Sequence, residues 1–365
     1  MNFLSDKKVN TGRQKELDIA KALAIIFMIF CHVIVFASFS NISISPGFEM
    51  ILNQTAAIIA APVFMFCMGI GIIFSRHNQY DFLIKRGVEL LLLGYFVNIG
   101  AQILPNVLDN MLNMSNTPIT ILSLFKVDIL IFAGVAFILI GILKRFNISK
   151  EKMLILAIIF SIIGSFVCFV DFNNIFLNYF FGYFIGTILH QCTVFPLFNW
   201  FIFPVAGMVY GSYFIRVKDK SQFFKLWPVF LIIPLIFILC NLTPVPAGSI
   251  SDNAHAYFIT TLDAIVRIIL IHGLLGFCWN ISKFLPDILI NGFTMLSKHV
   301  TGIYVAQWYF IPLFMTFIEY FYKGIVFTES SITLISIFIL GISTLAALSY
   351  SKYKRPRYVE RRKRI

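Results

Sequence analysis

The chain has 365 residues, of which 59% are hydrophobic, 13% are charged and 42 are phenylalanine. A water-soluble domain would carry about a quarter charged residues, so a soluble enzyme is excluded and a polytopic membrane protein remains. The net charge of +12 is no sign of nucleic-acid binding, because the cations sit in short runs between apolar stretches and so report orientation in a bilayer.

A polar leader covers residues 1–16. Ten apolar stretches follow, at about 17–39, 50–75, 87–104, 127–143, 152–170, 195–215, 224–241, 257–281, 300–320 and 331–350. Each is near the length a helix needs to cross a bilayer. Alternation at period two is absent, so helices are expected rather than barrel strands. An eleventh stretch, 173–191 (NNIFLNYFFGYFIGTILHQ), is settled by charge. With ten crossings, 25 of the 29 Lys and Arg fall on one side; Lys126 and Lys323 fall on the other, and Lys21 and Arg267 lie inside spans. A full crossing by 173–191 would put the run from Arg216 to Lys225 outside, against the positive-inside rule. The expected fold is therefore all-α and polytopic. It has about ten transmembrane helices plus one short re-entrant or interfacial element on the outer side, with both termini cytoplasmic. The transmembrane domain is expected over 17–350, followed by a basic tail at 351–365. The six cysteines lie in apolar stretches without a CxxC pair, so neither a disulfide framework nor a zinc site is indicated, and no metal is expected.

An ionisable group at mid-bilayer costs roughly 2.5–3.5 kcal/mol on insertion scales, so each such residue asks for a partner or a task. In E-L-D-I-A-K-A-L-A-I-I-F-M-I-F-C-H, the residues Asp18, Lys21, Ile25, Met28 and His32 step by three and four and share one helix face. The eleven steps from Lys21 to His32 span about 16 Å of helix rise. The bland alternative has Asp18 and Lys21 paired at the interface and His32 bonded to a carbonyl; the functional one makes His32 a proton-transfer group in a polar cavity. Asp263 and Arg267 stand at i, i+4 and read first as a structural ion pair, second as lining of a polar cavity. Glu89, four residues after Lys85, reads as an interfacial partner of that lysine. Asp128 opens the fourth span, either as an acid complementing the helix dipole or as an orienting group for His32. Gly69, Gly71, Gly94, Gly182, Gly186, Gly207 and Gly211 read as helix-packing positions.

The opening R-x2-E-L-D-I-A-K-A-L-A-I-I-F-M-I-F-C-H resembles the first helix of the transmembrane acyltransferase superfamily. That superfamily includes the heparan-alpha-glucosaminide N-acetyltransferase family and the bacterial integral-membrane acyltransferases of type three. Further stretches are similar in order: APVFMFCMGIGIIFSR, KRGVELLLLGYFVNIG, VDILIFAGVAFILIGIL, and FPLFNWFIFPVAGMVYG, the last closest to the heparan-type branch. LSKHVTGIYVAQW resembles the Tyr-and-His/Gln end of these folds. Lys21 stands where the family has Arg and loses the bidentate fork.

The resemblance implies transfer of an acyl group, acetyl by that likeness, from cytoplasmic acyl-CoA to a hydroxyl or amine of a sugar or other small acceptor at the outer face. It implies His32 as general base, with an acyl-histidine intermediate as variant, and Asp18 orienting Lys21. Arg86, Lys85, Arg13 and Lys21 are the candidates for the CoA phosphates, and Asp128, Asp263 and Arg267 for the acceptor cavity. A homodimer follows from the heparan-type likeness alone. The rival from another class is a proton-coupled secondary transporter or lipid flippase using His32 and the Asp263/Arg267 pair; the missing repeat symmetry speaks against it.

Overall fold

The computed structural model describes residues 3–38, 40–48, 59–112, 118–168, 170–187, 192–240, 242 and 259–362, with side chains described as far as residue 353. Helix dominates throughout. The helices are α1 (Lys15–Ala37), α2 (Ala61–Phe74), α3 (Tyr80–Asn98), α4 (Leu104–Leu112), α5 (Ile129–Arg145) and α6 (Lys150–Phe166). They continue with α7 (Ile175–Phe181), α8 (Leu197–Trp200), α9 (Ile202–Phe214), α10 (Lys220–Phe223) and α11 (Trp227–Leu239). The last three are α12 (Thr261–Ile281), α13 (Asp287–Phe321) and α14 (Glu329–Arg362). Two three-residue strands, β1 (Asn41–Ser43) and β2 (Val326–Thr328), pair in parallel.

Each of the ten predicted stretches contains a helix, although 50–58 lie outside the described residues. Among the described residues, six helical segments are long and apolar enough to cross a membrane: Lys15–Ala37, Tyr80–Leu112, Lys220–Leu239, Thr261–Ile281, Asp287–Phe321 and Glu329–Tyr353. The other four stretches hold α2, α5, α6 and α9, of 14, 17, 17 and 13 residues. Exposed Ile155, Ile159 and Ile162 on α6 and Ile232, Ile233 and Ile236 on α11 form outward apolar faces. Such faces would drive aggregation in water and are satisfied by lipid.

Local signals explain the boundaries. Glu16 and Asp18 put acid in the first turn of α1, where the helix dipole favours it. Ser149 caps α6 by accepting from the Lys152 amide, and Thr260 caps α12 by accepting from the Asp263 amide. Asn147, at φ 55°, makes the left-handed turn between α5 and α6. Of the stretch 173–191, residues 188–191 lie outside the described residues; in the rest α7 has seven residues, and isolated bridges tie Val170 to Thr187 and Val127 to Thr193. Several helices extend beyond the expected apolar stretches: α3 starts at Tyr80 and α14 runs to Arg362. The helix containing 300–320 starts at Asp287, because DILINGFTMLSKH continues the helical repeat with a polar face that hydropathy alone passes over.

Small residues set the helix spacing. α3 and α5 run antiparallel: a Cβ on Gly87 would lie 2.7 Å from the Gly134 carbonyl oxygen, and one on Gly134 would lie 2.8 Å from that of Gly87. α2 and α9 also pack closely, at Gly69, Gly207 and Gly211. Gly71, expected to pack, faces open space.

The α3–α5 contact makes a prediction. Gly87→Val and Gly134→Val should each force the two helices apart at a cost of about 1–3 kcal/mol, the usual range for overpacking. Gly71→Val should be tolerated. Thermal midpoints in detergent check this: a wild-type midpoint for both α3–α5 variants would contradict the close approach.

Candidate functional site

The site is built on α1 and α13, which lie side by side and run in the same direction. At their N-terminal ends Asp18, nearly buried, accepts from Arg13 Nε at 2.5 Å, from Arg13 Nη2 at 2.8 Å and from Ser297 Oγ at 2.6 Å. Lys21 Nζ stands 3.8 Å from the same carboxylate. About four turns along α1, His32 is partly exposed, with Nδ1 3.2 Å from Gln307 Nε2. Trp308 lies against the imidazole, ring centroids 4.1 Å apart, and the Tyr304 ring stands at 6.4 Å. Beyond the helices Ser40 donates to Glu319, and β1 pairs with β2.

Ser297, Tyr304, Gln307 and Ile311 recur at intervals of seven, three and four, so one stripe of α13 faces the Asp18–His32 stripe of α1. Pro312 stands inside α13. It has no N–H to give the Trp308 carbonyl four residues back. That carbonyl lies against Gly100, where a Cβ would be 2.7 Å from the oxygen. Gly100 belongs to a π-helical turn (Ile99–Ile103) that ends α3, and Tyr309 donates to the Phe96 carbonyl beside it at 2.5 Å.

A third element reaches the same place. Asp128 stands immediately before α5, and its carboxylate accepts the Tyr304 hydroxyl. The buried Asn98 amide holds the approach to Asp128 by donating to the carbonyls of Leu124, at 2.7 Å, and Lys126, at 2.8 Å. Val127 is fixed from the other side by backbone bonds with Cys192 and Val194, both 2.9 Å. Tyr304 thus carries a hydrogen bond to Asp128 and an edge-on ring contact, centroids 6.4 Å apart, to His32, so that three helices contribute to the surroundings of the histidine.

A second buried pair supports the N-terminal end. Glu16, 1% exposed, accepts from Lys220 Nζ at 2.5 Å, and Lys220 also donates to Gln14 Oε1 at 2.6 Å. A cleft of about 590 Å³ opens beside it, with Asn10, Lys218, Lys220, Ser221 and Trp279 among its lining residues. Lys283 Nζ sits 3.3 Å from the Trp279 ring centroid.

The model of the acyltransferase-3 family, described as an acyltransferase domain, matches residues 14–352. The chain belongs to this family. It is an integral-membrane acyltransferase. No curated protein and no solved structure gives a significant match. The family match concerns the type-three branch, so the heparan-type likeness rests on residues 195–211 alone.

In this acyltransferase the predicted residues fall into four groups. Arg13, Asp18 and Lys21 form one cluster, and Asp128 is joined through Tyr304 to the surroundings of His32. Asp18 was expected to orient Lys21; its closest cation is instead Arg13, whose planar fork takes both carboxylate oxygens while the lysine stays at 3.8 Å. Lys85 and Arg86 lie exposed on α3, the helix packed against α5. Glu89 was expected to pair with Lys85, but its partner is Arg86, at 3.3 Å and i, i+3. Asp263 and Arg267 form the ion pair read first from their spacing, 2.8 Å apart within α12. The residues that sequence reasoning left out are Ser297, Tyr304, Gln307 and Trp308. All four sit in LSKHVTGIYVAQW, the stretch flagged by resemblance, and their helical spacing was the available signal.

The Glu16–Lys220 pair makes a prediction. Lys220→Met should leave a buried carboxylate unpaired and cost about 3–5 kcal/mol, whereas adding Glu16→Gln should recover most of it. A thermal midpoint for the double variant no higher than that of Lys220→Met would contradict a direct pairing.

Proposed function

We propose that the protein transfers an acyl group, acetyl in the first instance, from acyl-CoA on the cytoplasmic side to a hydroxyl or amine of a sugar or other small acceptor on the outer side. The reading carries with it a plasma-membrane setting, ten crossings and cytoplasmic termini. One observation carries it: a partly exposed histidine, surrounded by polar and aromatic groups of α13, at the far end of a stripe that starts in a cation–carboxylate cluster. A cation near one membrane surface and a base well into the bundle suit a reaction whose charged donor and whose acceptor arrive from opposite sides.

In this reading His32 takes the proton of the acceptor O–H or N–H as its oxygen or nitrogen attacks the thioester carbonyl carbon. The tetrahedral intermediate collapses with cleavage of the C–S bond, and the CoA sulfur leaves as a thiol after receiving the proton from His32. A variant route passes the acyl group through His32 itself. Arg13, Lys85 and Arg86 are the cations assigned to the donor's phosphates, and the cleft beside Lys218 gives its nucleotide room. Asp128 is assigned to the acceptor side through Tyr304. Asp263 and Arg267 hold each other and serve the outer cavity as a fixed polar wall.

Three measurements test the assignment. Acetyl-CoA at about 100 times its dissociation constant should add about 2.7 kcal/mol to the folded state, seen as a higher melting temperature. His32→Ala should keep that shift and lose transfer by at least a hundredfold; turnover at the wild-type rate would remove His32 from the chemistry. Arg86→Ala should bind acetyl-CoA several-fold more weakly, with the difference shrinking as salt is raised. Equal affinity at low salt would place the phosphates elsewhere.

A further inference from the structure

Gln307 is wholly buried, and its side-chain nitrogen lies 3.2 Å from His32 Nδ1. Its other amide atom, Oε1, is buried without a hydrogen-bond partner, and so is the indole Nε1 of Trp308, the ring that packs on His32. With the amide in this orientation its N–H donates to Nδ1. The ring proton must then sit on Nε2, and the imidazole keeps no lone pair for a base. The oxygen and nitrogen of a carboxamide exchange places by a half-turn about the terminal bond, and which is which follows from the groups around them. After that half-turn the carbonyl accepts Nδ1–H, and Nε2 carries the free lone pair. The unpartnered atom becomes an N–H, so two buried N–H donors, of Gln307 and Trp308, are left beside the base without a protein acceptor. A thioester carbonyl, which gains negative charge on attack, is the acceptor that acyl transfer supplies.

We propose that Gln307 is the positioning residue of this site: its amide carbonyl accepts Nδ1–H of His32 and fixes the tautomer in which Nε2 is the base. The inference rests on the assignment of His32 as general base. A carboxylate at this place would also accept Nδ1–H, without the second N–H that the amide offers.

The test compares Gln307→Glu with Gln307→Met in the purified full-length protein, following release of CoA thiol from acetyl-CoA in the presence of acceptor across pH. Gln307→Glu keeps an acceptor and adds negative charge, which favours the imidazolium. It loses the amide N–H but should retain more turnover than Gln307→Met and move the acidic limb of the pH–rate profile upward. Gln307→Met fills the same volume without an acceptor and should lower kcat by about 10–100-fold with little change in the melting shift given by acetyl-CoA. Wild-type kcat in Gln307→Met overturns the proposal, as does a Gln307→Glu protein as impaired as Gln307→Met with an unmoved profile. If Gln307→Met fails to fold, the pH profile of Gln307→Glu decides alone. His32→Ala separates the two levels. An active His32→Ala protein removes the base assignment itself, whereas an inactive one alongside a fully active Gln307→Met protein removes only the role of Gln307.

Discussion

Everything at the site depends on α1 and α13 lying side by side in the same direction, and polar contacts at successive levels hold them there. Asp18 meets Ser297 near the start of α1, His32 meets Gln307 farther on, and Ser40 meets Glu319 beyond its end, where β1 and β2 then pair. Between helices in a membrane, apolar surface gives little drive to associate, because lipid is as apolar as leucine. Interhelical hydrogen bonds average about 0.6 kcal/mol there, so no single contact fixes the pair. Several contacts at different heights do, because a rotation or slide of either helix breaks all of them together. The same arithmetic explains the small residues elsewhere: where α3 meets α5 and α2 meets α9 there are glycines instead of polar bridges, and close backbone approach supplies the contact.

This division of labour locates the chemistry. The glycine-lined pairs are rigid and apolar, while α1 and α13 enclose the groups that would be costly to leave facing lipid. Asp128 bonds Tyr304 of α13 from the start of a third helix, and its position is secured by Asn98 and by the backbone bridges around Val127. Pro312 and the π-helical turn at Ile99–Ile103 mark where regular helix gives way beside the histidine. Departures from regular geometry cost energy and persist where the surroundings fix them, and here the surroundings are those of the proposed acyl-transfer site.

Much of this was legible in the sequence, and what was not has a physical cause. Composition gave the membrane class, and apolar length placed a helix in every one of the ten stretches. The short nature of 173–191 came from charge bias alone. On α1, the i, i+3, i+4 stepping through Asp18, Lys21, Ile25, Met28 and His32 marked one face, because that spacing is local, and Asp18 and His32 on it meet α13. The partner face was harder, since Gln307 is 275 residues from His32 and no local rule says which helix packs where. Arg13 as the ligand of Asp18 was missed for a different reason: it precedes the helix, and helical spacing says nothing about a residue that reaches back from a loop. Lys85 and Arg86 show the converse, since a basic pair at a helix start reads alike whether it lines a site or faces outward.

The most direct test of the account is a structure of the protein bound to the thioether analogue of acetyl-CoA, whose acyl carbon cannot leave. The account places the nucleotide at the end of the bundle that carries Arg13 and Lys220, with the analogue's acyl carbonyl within about 3–4 Å of the space between His32 Nε2 and the Trp308 indole. An analogue bound with its acyl end away from the α1–α13 interface, or entering from the β1–β2 end, would contradict it.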